Sequence, residues 1–158
     1  MKTAFSSLSL ALALVGCATE QSRALEHHVS WGGNFHEIAV ALDAAEAKWA
    51  ATGITNYSFR IRRGGAFGGS VYNAVYRPGS CGATHLKDVG LPASFSCEEN
   101  SMPQLFAEIR NQVASRNSDI SVSLDPKIGY VRSFSIEPHT DLTDQGWGAE
   151  ISHFRVLK

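Results

Sequence analysis

A chain of 158 residues is long enough for one domain with a sizeable core, and its 14 Lys and Arg set against 15 Asp and Glu leave a net charge of −1. That balance has no polyelectrolyte character, so nucleic acid is not expected as a partner.

Residues 1–16 do not read as part of the fold. Lys2 supplies a short positive region and Phe5 to Val15 form an apolar run broken by serines. The run is too short to span a bilayer comfortably, which is the pattern of a signal peptide. It ends in Leu14-Val15-Gly16-Cys17, which resembles the lipobox of bacterial lipoproteins, in which small residues precede a cysteine that is lipidated and becomes the mature N-terminus. The resemblance implies a lipid on Cys17 and a membrane as partner through that anchor. Ala18 stands where an aspartate is associated with inner-membrane retention, so the expected address is the outer membrane, facing the periplasm. With Cys17 consumed, Cys81 and Cys97 are left as one pair in an exported chain, and a disulfide is expected between them.

Residues 17–34 show no periodicity and read as a lipidated N-terminus and tether that carries Trp31. A single α+β domain is expected over 35–158. Asn34 caps a first helix whose Phe35, Ile38, Ala39, Leu42, Ala45 and Trp49 share one face, and Thr52-Gly53 ends it. Tyr57, Phe59 and Ile61 then alternate with Ser58, Arg60 and Arg62, the period of a half-buried strand. Gly64 to Gly69 read as a loop around Phe67, and Val71 to Tyr76 as a second strand closed by Arg77-Pro78-Gly79.

The pattern weakens from Ser80 to Asn100, where only a short strand over Ser94 to Cys97 is expected. Ser101-Met102-Pro103-Gln104 opens a second helix with a capping-box pattern, carries Leu105, Phe106, Ile109 and Val113 on its apolar face, and runs to about Asn117. Ile120, Val122 and Leu124 alternate with polar residues, Asp125 to Gly129 form a turn, and Tyr130, Phe134 and Ile136 share the inner face of a returning strand. A loop bearing Asp141, Asp144 and Trp147 precedes a last strand over Ala149 to Val156. The expected architecture is an antiparallel sheet with two helices on one face and the 120–136 hairpin at its centre. Trp49, Phe59, Leu105, Phe106, Ile109, Val122, Phe134 and Ile136 are the expected core.

Three blocks carry a family resemblance. Lys48-Trp49 through Thr52-Gly53-Ile54 to Asn56-Tyr57-Ser58-Phe59, the helix around Leu105-Phe106, and Val122 to Tyr130 with Ser133 to Ile136 resemble a family of small bacterial lipoproteins known as domain of unknown function 6174. The chain departs from it with Leu124 in place of an aromatic, Val131 in place of proline, and Arg62-Arg63-Gly64-Gly65 where members often carry cysteines. The resemblance implies a fold and attaches no activity.

Of the six histidines, His27 and His28 fall in the tether, and His36, His85, His139 and His153 in separate segments, with no ligand spacing between any pair. No metal or cofactor is expected. Asp141, Asp144 and Glu150 lack the alternating oxygen ligands of a calcium loop. Ser70 and Ser80 sit in glycine turns without the G-x-S-x-G context of a hydrolase, and Cys81 is better read as a disulfide partner than as a nucleophile. What survives is a surface of Arg60, Arg62 and Arg63 with Phe67, Tyr72 and Tyr76, a composition suited to recognising a protein or glycan. The expected function is a non-catalytic envelope binding or assembly module acting through Arg60, Arg62, Phe67 and Tyr72. The alternative is a small envelope hydrolase or metal-dependent enzyme whose residues gather only in three dimensions.

Overall fold

The computed structural model describes residues 25–29, 34–139 and 146–158, so Cys17, Trp31, Asp141 and Asp144 lie outside the described residues. The elements are β1 (Leu25–Val29), α1 (Phe35–Ala51), β2 (Tyr57–Gly65), β3 (Gly68–Arg77), β4 (Ser80–Gly90), α2 (Met102–Ser115), β5 (Ser118–Leu124), β6 (Val131–Pro138) and β7 (Trp147–Val156). The strands form one antiparallel sheet in the order β1-β5-β6-β7-β2-β3-β4, with two helices, which is the expected α+β class.

Both helices bury the stripe that their spacing indicates. In α1 the buried side chains are Phe35, Ile38, Leu42, Ala45 and Trp49, and Asn34 Oδ1 accepts the His36 N–H at 3.2 Å. In α2 they are Met102, Leu105, Phe106, Ile109 and Val113. Pro103 occupies the first turn, where its missing N–H leaves no helical bond unmade. Ser101 precedes the helix in extended conformation but makes no side-chain cap, and the helix stops at Ser115 because Arg116 turns left-handed. The stripes meet the inner face of the sheet, where Tyr57 stacks on Tyr76 at 4.8 Å and Trp49 meets Tyr57 edge-on at 5.2 Å. Tyr57 Oη accepts the Met102 N–H, so the aromatic cluster also holds the start of α2. All eight expected core side chains are buried.

Four expectations are corrected. The 120–136 hairpin is not central: β7 lies between β6 and β2, joining the β5–β6 hairpin to the β2–β3–β4 meander. Residues 25–29 are not tether but an edge strand paired with β5, with Glu26 opposite Ser123 and His28 opposite Ser121. Ser94 to Cys97 form no strand, whereas Ser80–Gly90 forms a long one. Val131, not Tyr130, opens the inner row of β6, because the register shifts between Ser123 and Leu124 and Arg132 becomes the extra residue.

Cys81 and Cys97 are disulfide-bonded with Cα atoms 6.0 Å apart. The bond belongs to a strap in which residues 91–100 run back beneath β3 and β4. Tyr76 Oη donates to the Cys97 carbonyl, Tyr72 Oη donates to the Ala93 carbonyl, and Phe95 stacks on Tyr72 at 4.3 Å.

Candidate functional site

The helices and the strap cover one face of the sheet, and the other face meets solvent. Cross-strand register decides what that open face presents. Arg60 on β2 stands opposite Asn73 on β3 and Ser152 on β7, and Arg62 stands opposite Val71 and Glu150. Val71 in turn stands opposite Lys87 on β4. The β3–β4 register shifts between Val71 and Tyr72, leaving Leu86 as the extra residue of a bulge. The bulge sets Leu86 beside Lys87, and both line a shallow hollow of about 360 Å³ with Arg60, Arg62 and Glu150. Val71 forms its floor, only 7% exposed although it lies outside the main core cluster.

Among the described residues three arginines are held in ion pairs. Arg63 pairs with Glu108 at 2.6 Å, Arg132 with Asp125 at 2.7 Å, and Arg110 with Asp43 and Glu46. Arg60, Arg62 and Lys87 make no ion pair among the described residues, and Arg60 makes one hydrogen bond from Nε to Asn73 Oδ1 at 3.3 Å. Three cations without ion pairs thus surround an apolar floor, with Glu150 as the one acidic residue of the lining, which leaves the hollow with an excess of positive charge.

The expected binding residues are only partly brought together. Arg60 and Arg62 share the hollow. Phe67 stands 65% exposed at the tip of the β2–β3 hairpin, beyond Gly64 and Gly69. Tyr72 is on the opposite face, because its register partner is the inward-facing Ile61, and there it packs on Phe95. Arg63 also points inward: both Glu108 oxygens accept from it, its guanidinium lies 5.2 Å over the Phe134 ring, and Trp147 Nε1 donates to the same Glu108.

The inner surface of β3 and β4 holds a serine with an acid and a histidine nearby. Ser70 is fully buried, its hydroxyl donates to Asp88 Oδ1 at 2.5 Å, and His85 Nε2 lies 2.9 Å from that same oxygen. Bonding to the Ser70 hydroxyl, then to His85, holds the Asp88 carboxyl below its ordinary value. The order is serine, acid, histidine, so the imidazole is not placed to take the serine proton, as a hydrolytic triad requires. Ser70 also accepts the Ala93 N–H at 3.0 Å, so the cluster fastens the strap. His28 Nδ1 lies 2.7 Å from Ser121 Oγ on the open face, and His139 Nε2 lies 2.9 Å from Asp119. Among the described residues no three His, Cys, Asp or Glu side chains converge to hold a metal ion.

A family model described as a family of unknown function, DUF6174, matches residues 41–156. The chain belongs to the DUF6174 family. No curated protein and no solved structure matches it. The DUF6174 match takes in the hollow entirely, together with the Asp125 turn and the strap, and leaves β1 outside.

Sequence reading missed Lys87, Leu86, Val71, Glu150 and Ser152 as parts of the site. Glu150 and Ser152 were legible as outward positions of the last strand, since they alternate with Ala149 and Ile151. Leu86 and Lys87 carried no signal, because their place depends on a bulge in a strand that the pattern does not reveal.

Proposed function

We propose that this member of the DUF6174 family is a non-catalytic binding module of the bacterial cell envelope, held at the membrane by a lipid on Cys17. Its recognition surface is the hollow on the open sheet face, where Arg60, Arg62 and Lys87 engage the negative charge of a partner and Val71 and Leu86 meet its apolar part. The observation that carries this reading is the gathering of three cations without ion-pair partners over a buried valine, while Arg63, Arg110 and Arg132 are all committed to carboxylates. Charges held in the fold by partners serve stability, whereas solvated cations set around an apolar floor are available to a ligand.

The test is affinity capture from solubilised envelopes with the lipidated protein, comparing the native chain with the Arg60→Glu, Arg62→Glu double variant. The variant is expected to lose the captured partner and stay folded, with a modest drop in melting temperature because Arg62→Glu sets a second carboxylate opposite Glu150. Retention of every partner by the double variant would place the recognition surface elsewhere. Replacing Cys17 by alanine is expected to abolish incorporation of labelled fatty acid, and unchanged labelling would remove the anchor from the proposal.

A further inference from the structure

The hollow opens towards β4, and that edge of the sheet has a character of its own. β4 is the last strand in the sheet order, 11 residues long, and all of it is exposed except the half-buried Cys81. Among the described residues no strand pairs with its outer side, whose N–H and C=O groups are a template for another strand. The opposite edge, β1, offers 5 residues.

Large apolar side chains are exposed at the same corner. Leu86 is 42% exposed, Val89 39% and Leu91 67%, and the Leu91 N–H donates to the Phe67 carbonyl at 3.0 Å, bringing the exposed Phe67 loop alongside. Such a gathering, unlike single scattered apolar residues, marks an interaction surface. Register sets its pattern: Thr84, Lys87 and Val89 stand opposite Asn73, Val71 and Gly69, so they belong to the open face, with Leu86 turned to that face by the bulge. Asp88 does not balance Lys87, because it stands opposite the buried Ser70 on the other face and bonds to Ser70 and His85.

We propose that β4 receives an extended segment of a partner protein as an eighth strand, in which apolar side chains alternate along the open face with an acidic one beside Lys87. This rests on the binding reading above, whose hollow shares Leu86 and Lys87 with the edge, and it names the kind of partner. Backbone pairing along β4 supplies affinity without sequence preference. The apolar corner and Lys87 select the segment. A second copy of this chain is the other occupant such an edge could take, and the test separates the two.

The probe is a fluorescent peptide in which threonine alternates with valine, glutamate and valine, compared with the same peptide carrying lysine for glutamate. Binding is read by anisotropy and by amide hydrogen exchange of residues 80–90. The glutamate peptide is expected to bind at least about tenfold more tightly than the lysine peptide and to slow exchange along β4. Lys87→Glu is expected to reverse the preference, and Leu86→Ser with Val89→Ser to weaken both peptides. Binding that leaves β4 exchange unchanged, or a preference that Lys87→Glu does not alter, overturns the strand addition. So does self-association that protects β4 without any peptide. If capture through Arg60 and Arg62 succeeds while β4 exchange stays unchanged, only the strand addition fails. If capture itself is insensitive to those arginines, the hollow falls first.

Discussion

Asp125 accepts four hydrogen bonds, more than any other side chain among the described residues. Its Oδ1 accepts the N–H groups of Lys127 and Ile128, both at 2.9 Å, and its Oδ2 accepts Nε and Nη2 of Arg132. Burial works to raise its pKa, but the Ile128 N–H, the Arg132 guanidinium and the Lys127 N–H together outweigh it and hold the carboxyl below its ordinary value. A carboxylate depressed in the folded state contributes stability above its unfolded pKa of about 4 and loses it as pH falls through the folded value. Asp125→Asn is therefore expected to cost about 1–3 kcal/mol at neutral pH and to flatten the acid limb of the stability profile, read from denaturant midpoints at pH 2 to 7. A variant as acid-sensitive as the native chain would show that other carboxylates govern that limb. Gly129 completes the turn at φ +84°, where a Cβ would collide with the Ala45 carbonyl of α1. That collision explains why the turn, and not merely the strands, locks the hairpin to the helix.

At the scale of elements, legibility followed the depth of burial. The helices, β2, β5 and much of β6 were readable because one apolar face alternates with one polar face. β3 was readable as a strand but not in its facing: Val71 and Val75 look more apolar than Tyr72 and Tyr76, yet the register of a two-residue hairpin loop turns the tyrosines inward. The wrong facing placed Tyr72 in the binding patch. β1 and β4 escaped because edge strands need little core contact, and Gly82, Ala83 and Thr84 offer no contrast between faces. The strap beneath β4 was invisible except for its cysteines. With 16 residues separating them, loss of the disulfide is expected to cost about 3 kcal/mol on the chain-entropy view. Replacing both cysteines by serine should also speed amide exchange in residues 91–97 well before the β5–β6 hairpin responds. Equal acceleration in both places would mean that the strap is not a separate unit.

Across the described molecule, a layer of two helices, continued by the strap under β3, covers one side of the sheet, so the core depends on a few large side chains at that junction. Phe106, 1% exposed, and Trp49, 7% exposed, contribute from different helices. Truncating either to alanine is expected to cost about 3–5 kcal/mol by urea denaturation, enough to threaten a domain of ordinary stability. Losses below about 1 kcal/mol at both positions would mean that the layers are held by something else. The site differs from the core in legibility for a physical reason. Core membership follows from hydrophobic period, whereas the hollow exists only where β7, β2, β3 and β4 lie side by side, and no local pattern encodes that adjacency.

The pairing of β1 with β5 also sets a length. A lipid on Cys17, as proposed, would reach the first paired residue, Leu25, through a leash of eight steps, at most about 29 Å when fully drawn out. Reckoned instead to the start of α1 at Phe35, the leash would be roughly twice as long, about 65 Å. With the proposed anchor in place, pairing of the five residues of β1 would lower the ceiling on the distance between domain and bilayer by more than half. The greatest height that the proposed anchor would allow is in this sense set by the pairing of β1, the shortest strand among the described residues.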